Sequence, residues 1–61
     1  MIKVGDKVIV RNPASREIYH LPLRAKVVEV KEDAVLIRKE YLLEFENGMR
    51  QWFNQYDLKK E

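Results

Sequence analysis

Cysteine is absent from this 61-residue chain, which excludes a disulfide framework, a thiolate zinc site and a cysteine nucleophile. The lack of thiols fits a reducing compartment, and a cytoplasmic location is the expectation. Glycine is scarce: Gly5 and Gly48 are the only two, so there is no glycine-rich phosphate loop. The one histidine, His20, is too little for histidine-cluster or two-metal chemistry, and reads as a solvated or capping residue. No metal and no cofactor is expected. The longest apolar run, Ala34-Val35-Leu36-Ile37, is far shorter than the roughly 20 residues of a membrane-spanning helix. Met1-Ile2-Lys3 leads directly into strand-like sequence, so no signal peptide is expected.

Charge of one sign is lacking too. Residues 1–30 carry six basic and three acidic groups, residues 31–61 six and seven, for a net of +3 and −1. A total of +2 permits nucleic-acid binding without demanding it. The length allows a single domain, 1–61, with one small core, and no second lobe to enclose a cleft. No catalytic constellation is visible. Glu32-Asp33 reads as a turn, and Glu44 and Glu46 as a wet strand face, rather than as acid–base pairs. The chain therefore reads as a non-enzyme. Catalysis would require an oligomer that builds a shared site; a monomer is expected.

What is present is strand patterning. Val4, Val8 and Val10 alternate with Lys7, Ile9 and Arg11, a period of two that Asn12-Pro13 ends. Residues 12–23 read as a long ordered loop, with Ser15 capping one helical turn and Ile18 and Leu21 as anchors. A second strand covers 24–31, and Glu32-Asp33 is the expected turn. From Ala34 to Glu46 the odd positions are apolar except at Lys39, which predicts one strand, kinked near Lys39-Glu40. A helix over 32–45 is the competing reading, since Ile37, Tyr41 and Phe45 are four apart.

Asn47-Gly48 then predicts a two-residue type I′ hairpin. That register sets Leu43 opposite Trp52 and Leu42 opposite Phe53, leaving open which aromatic enters the core. A 3₁₀ turn over 54–57 and a short strand at 58–60 follow. The expected core is Val8, Val10, Val28, Val30, Val35, Ile37, Leu43 and Phe45.

The resulting order resembles a small five-stranded SH3-like barrel with one 3₁₀ turn, an all-β fold. Gly5-Asp6-Lys7-Val8-Ile9-Val10 is similar to the opening strand of Tudor-, KOW- and integrase-tail-like barrels. Tyr41-Leu42-Leu43-Glu44-Phe45-Glu46-Asn47-Gly48, with Trp52-Phe53 and Asp57-Leu58, resembles the ending of small bacterial, phage and cyanobacterial SH3-like accessory proteins. The resemblance implies a fold more firmly than a function, because this barrel hosts many roles. The acidic and aromatic loop of proline-peptide-binding SH3 domains and the aromatic cage of Tudor domains are not found.

The candidate binding residues are Tyr19, Arg16, Arg50, Trp52 and Tyr56. The resemblance implies that the 12–23 loop lies beside the 3₁₀ turn, bringing Tyr19 towards Tyr56. Rings next to arginines suit recognition of a peptide or a single strand, because rings stack and Arg pairs with carboxylate or phosphate. The same aromatics also suit plugs for the open ends of a small barrel. The expectation is a non-catalytic protein-binding adaptor or accessory subunit with a protein partner. The alternative is a nucleic-acid-binding module using Lys3, Lys7, Arg11, Arg16, Arg24, Lys26 and Arg50. No small-molecule substrate is evident.

Overall fold

Five strands form one antiparallel sheet in the computed structural model, which describes residues 2–22 and 24–61, without the side chains of Ser15, Arg16, Tyr19 and Asp33. The elements are β1 (Lys7–Val10), α1 (Pro13–Tyr19), β2 (Arg24–Asp33), β3 (Arg38–Phe45), β4 (Arg50–Asn54), a 3₁₀ turn (Gln55–Asp57) and β5 (Leu58–Lys60). Their spatial order is β4-β3-β2-β1-β5. The all-β expectation holds for the sheet, and the 3₁₀ turn and closing strand stand where the sequence places them.

The first connection differs from the expected loop. It contains a seven-residue helix that starts at Pro13, two residues before the expected cap Ser15. Asn12 caps it: its Oδ1 accepts from the Ala14 N–H at 3.1 Å. Proline is suited to the first helical position because its missing N–H has no partner there in any helix. His20 ends the helix at φ 53, its N–H donating to the Glu17 carbonyl. Of the two expected anchors, Leu21 is buried and Ile18 is exposed.

The second correction concerns the long strand expected over 34–46. β2 runs on through Glu32 to Asp33, which pairs with Arg38, so the turn is Ala34–Ile37 and not Glu32-Asp33. No kink divides β3. Val35 and Ile37, expected in the core, therefore lie on an exposed turn. Ile37 adopts φ 51, a left-handed conformation that a β-branched side chain resists.

The third correction explains the inner face of β2. Val27 pairs with Leu43, but the next pair is Glu29 with Leu42, an irregularity at Val28. Such a bulge changes which residues point inward. Ala25 and Val27 are buried before it. After it Val30 packs against the core, paired with the buried Tyr41, while Val28 is only half-buried. The core is Val8, Val10, Leu21, Ala25, Val27, Tyr41, Leu43, Phe45, Phe53 and Leu58. Val8, Val10, Leu43 and Phe45 were expected among these.

The fourth correction is a one-residue slip in the last hairpin. Phe45 N–H donates to the Met49 carbonyl at 2.9 Å, and Gly48 N–H to the Phe45 carbonyl at 2.8 Å. The loop is therefore three residues, Glu46-Asn47-Gly48, with Gly48 alone left-handed at φ +84. This is the turn-plus-bulge form of a hairpin. Asn47 uses its side chain instead, accepting from the Met49 N–H at 3.1 Å. A shift of one residue exchanges the faces of a strand. Leu43 now faces Gln51, Leu42 faces Trp52 and Tyr41 faces Phe53. Phe53 enters the core, meeting Phe45 edge-on with centroids 6.2 Å apart, and Trp52 is left on the other face. A Cβ at Gly48 would meet nothing within 4 Å. The expected cost of Gly48→Val, about 1–3 kcal/mol, is thus purely a backbone cost. Urea denaturation checks it, with Gly48→Asn expected to retain more of the stability because asparagine tolerates this conformation.

Asp6 ties the segment before β1 to the sheet. Its carboxylate accepts from the Lys3 N–H at 3.0 Å and lies 3.5 Å from Lys60 Nζ, while its carbonyl accepts from the Val27 N–H at 2.9 Å. The Lys3 hydrogen bond, with help from Lys60 and against the effect of burial, holds this carboxyl below the usual carboxylate range. A lowered folded value means that the contribution is present above the unfolded pKa, near 3.9, and is lost as pH falls through the folded one. Stability measured by urea denaturation from about pH 5 down to pH 2 should fall less steeply in Asp6→Asn than in the parent chain.

Candidate recognition surface around Trp52

The residues that alternate away from the core form the outer face of β2, β3 and β4. Because of the hairpin slip, Trp52 stands at the centre of β4 on this face, half-buried and opposite Leu42. The ammonium of Lys31 lies over its ring, 4.9 Å from the centroid. A cation over an aromatic face is attracted by the ring quadrupole and restrains the indole. Lys31 is itself held at 3.6 Å from Glu40, its partner across the β2–β3 ladder, and Glu40 also accepts from Arg38 at 3.5 Å.

Beside the indole is a shallow concavity of about 300 Å³, lined by Arg38, Glu40, Gln51, Trp52, Asn54 and Asp57 among others. Arg38 Nε is buried and has no hydrogen-bond partner among the described residues. A buried N–H without an acceptor is costly.

The expected site residues are distributed as follows. Trp52 and Arg50 are two apart on β4 and share the outer face. Arg50 is engaged by Glu44, with Nε at 2.9 Å and Nη2 at 2.7 Å from Oε2. Tyr56 is exposed on the 3₁₀ turn, beyond the opposite end of β4 from Arg50. That turn is fixed by Asn54 Oδ1, which accepts from the N–H groups of Tyr56 and Asp57 at 2.8 and 3.2 Å. The Arg11 N–H donates to the Asp57 carbonyl at 2.7 Å, which sets the entry to the α1 connection against the 3₁₀ turn. The side chains of Arg16 and Tyr19, and hence the expected approach of Tyr19 to Tyr56, lie outside the described residues.

Sequence reasoning missed Lys31, Arg38 and Glu40. Each is an ordinary strand charge until the β2–β3 register is known. The available signal was the pair of charged triplets, 31–33 and 38–40, that bracket the apolar turn.

Among the described residues no three His, Asp or Glu side chains cluster to hold a metal ion, and no helix is long and apolar enough to cross a membrane. Comparison with known proteins found no matching family model, no matching curated protein and no matching solved structure.

Proposed function

We propose that this chain is an SH3-like, non-catalytic binding module that docks a protein partner on the outer face around Trp52. The observation that carries the reading is the placement of Trp52. The one tryptophan is kept out of the core, restrained by Lys31 and set beside a concavity that Arg38 lines. Tryptophan and arginine are the residue types most enriched at binding hot spots, and a ring already restrained loses little further freedom on binding. The strand order, with a 3₁₀ turn before β5 returns to β1, supports the SH3-like reading, while β4 and β5 end the sheet without pairing to each other.

On the face around Trp52, protein is favoured over nucleic acid by the ion pairs. Lys31, Arg38, Lys39 and Arg50 each lie within 4 Å of a carboxylate. Cations already paired in this way offer a phosphate backbone little net attraction. The test compares partner capture by the parent chain and by Trp52→Ala, together with a titration of single-stranded DNA at two salt concentrations. The expected result is loss of capture with cooperative unfolding retained, and no salt-steep DNA binding. DNA affinity falling steeply with salt would move the chain to the nucleic-acid class.

A further inference from the structure

Charged partners across the β2–β3 and β3–β4 ladders are opposite in sign. Lys26 faces Glu44, Lys31 faces Glu40, Glu32 faces Lys39 and Glu44 faces Arg50. The β1–β2 ladder breaks the pattern, because Lys7 stands directly opposite Lys26. Like charges in that position destabilise a sheet. We propose that the outer face of β1 and β2 receives a short acidic segment of a partner protein. This surface is separate from the one on β4 around Trp52, with β3 between them, and the proposal does not depend on that residue.

The register builds the patch. Half-buried Ile9 faces Arg24 on β2 and Lys59 on β5, and Lys7 is two residues away on its own strand. Lys26 is two residues from Arg24 on β2. Residues directly opposite, or two apart along a strand, share a face, so four cations surround one apolar side chain. All four are exposed. Arg24 is engaged by Glu61 at 2.9 Å. Among the described residues no carboxylate lies within 4 Å of Lys7, Lys26 or Lys59. A carboxylate seated between Lys7 and Lys26 would replace their repulsion by two charge-assisted hydrogen bonds.

The surroundings narrow the occupant. A concavity of about 510 Å³ opens on this face, lined by Lys7, Arg24, Lys26, Glu44, Glu46 and Glu61 among others. Glu44 is engaged by Arg50 and Glu61 by Arg24, which leaves Lys7 and Lys26 against Glu46. The acids lie at the margins, Glu61 just after β5 and Glu44 and Glu46 at the end of β3. A phosphate chain carries a charge at every link and would run from the lysines onto these margins. An anionic bilayer would cover them as well. Nucleobases also need exposed rings on which to stack, and Phe45, the ring lining the concavity, is buried. A protein segment can instead set two or three carboxylates over the lysines, an apolar side chain over Ile9 and neutral residues beyond.

The test follows backbone amide shifts by NMR at about 0.15 M salt as the chain is titrated with three probes. These are a blocked peptide of four glutamates around one leucine, the same peptide with lysine for glutamate, and an oligothymidine of equal negative charge. The expected result is a set of shifts from the acidic peptide centred on Lys7, Ile9, Arg24, Lys26 and Lys59, none from the basic peptide, and at least tenfold weaker binding of the DNA. Lys7→Glu should lower affinity for the acidic peptide at least tenfold. Its unfolding midpoint should be unchanged or raised, because the substituted side chain now faces Lys26 with opposite sign. The proposal is overturned by no shifts, by shifts centred elsewhere, by unchanged affinity in Lys7→Glu, or by a lowered midpoint in that variant. Oligothymidine binding this face as tightly as the acidic peptide also overturns it and assigns the face to nucleic acid. Trp52→Ala should bind the acidic peptide as the parent does; loss of binding there would move the acidic segment to the Trp52 surface and reject this one. Failure of the acidic peptide to bind rejects this inference and leaves partner capture through Trp52 standing.

Discussion

Phe45→Ala is expected to abolish cooperative folding. Phe45 is buried between Ala25, its partner on β2, and the edge-on ring of Phe53. Truncating a buried phenylalanine costs about 3–5 kcal/mol through lost transfer free energy and the cavity left behind. In a domain this small the whole stability is on the order of 3–5 kcal/mol, so little remains to hold the sheet. Circular dichroism through a thermal ramp should show no sigmoidal transition. A variant that melts cooperatively near the parent temperature would place Phe45 outside the core.

The second large effect is a contrast between neighbours. Phe53→Ala should be nearly as damaging as Phe45→Ala, at about 3–5 kcal/mol. Trp52→Ala should cost much less, because its ring lies on the outer face and is only partly buried. The two-residue hairpin that Asn47-Gly48 suggests would put Trp52 on the side of Leu43 and reverse this ranking. Urea midpoints of the two variants therefore measure the register directly. Equal or reversed values would reject the three-residue loop.

The fold was legible wherever one strand face was sufficient to define the pattern. Val8 and Val10 on β1, Leu43 and Phe45 on β3, and the Gln55–Asp57 turn before β5 follow from local sequence alone. The errors arose where one residue changes parity. Val28 adds a residue to β2, and Gly48 adds one to the hairpin loop; neither is visible without the partner strand. The turn at 34–37 misleads for a different reason. An apolar run with strand alternation reads as core, because burial is the usual fate of Val, Leu and Ile. Here the β2–β3 ladder runs out to Asp33 and Arg38, so residues 34–37 become the turn and the apolar side chains remain outside. For the candidate site, Trp52, Arg50 and Tyr56 were nameable as residue types. The roles of Lys31, Arg38 and Glu40 depend on cross-strand neighbours that no single segment reveals.

The pairing of β1 with β5 has a consequence for the order of folding. Val8 meets Lys60 and Val10 meets Leu58, partners separated by about fifty residues, whereas the β3–β4 hairpin closes a loop of only three. The entropy lost on closing a loop grows with its length, so contacts between distant segments form after local ones. The hairpin around Gly48 is the natural nucleus, and the β1–β5 seam closes last. By the same reasoning it opens first. Amide hydrogens along β5 should exchange with solvent sooner than those of β3, and a circular permutant that joins the two ends and is cut at 46–48 should lose its early nucleus and fold by a different route.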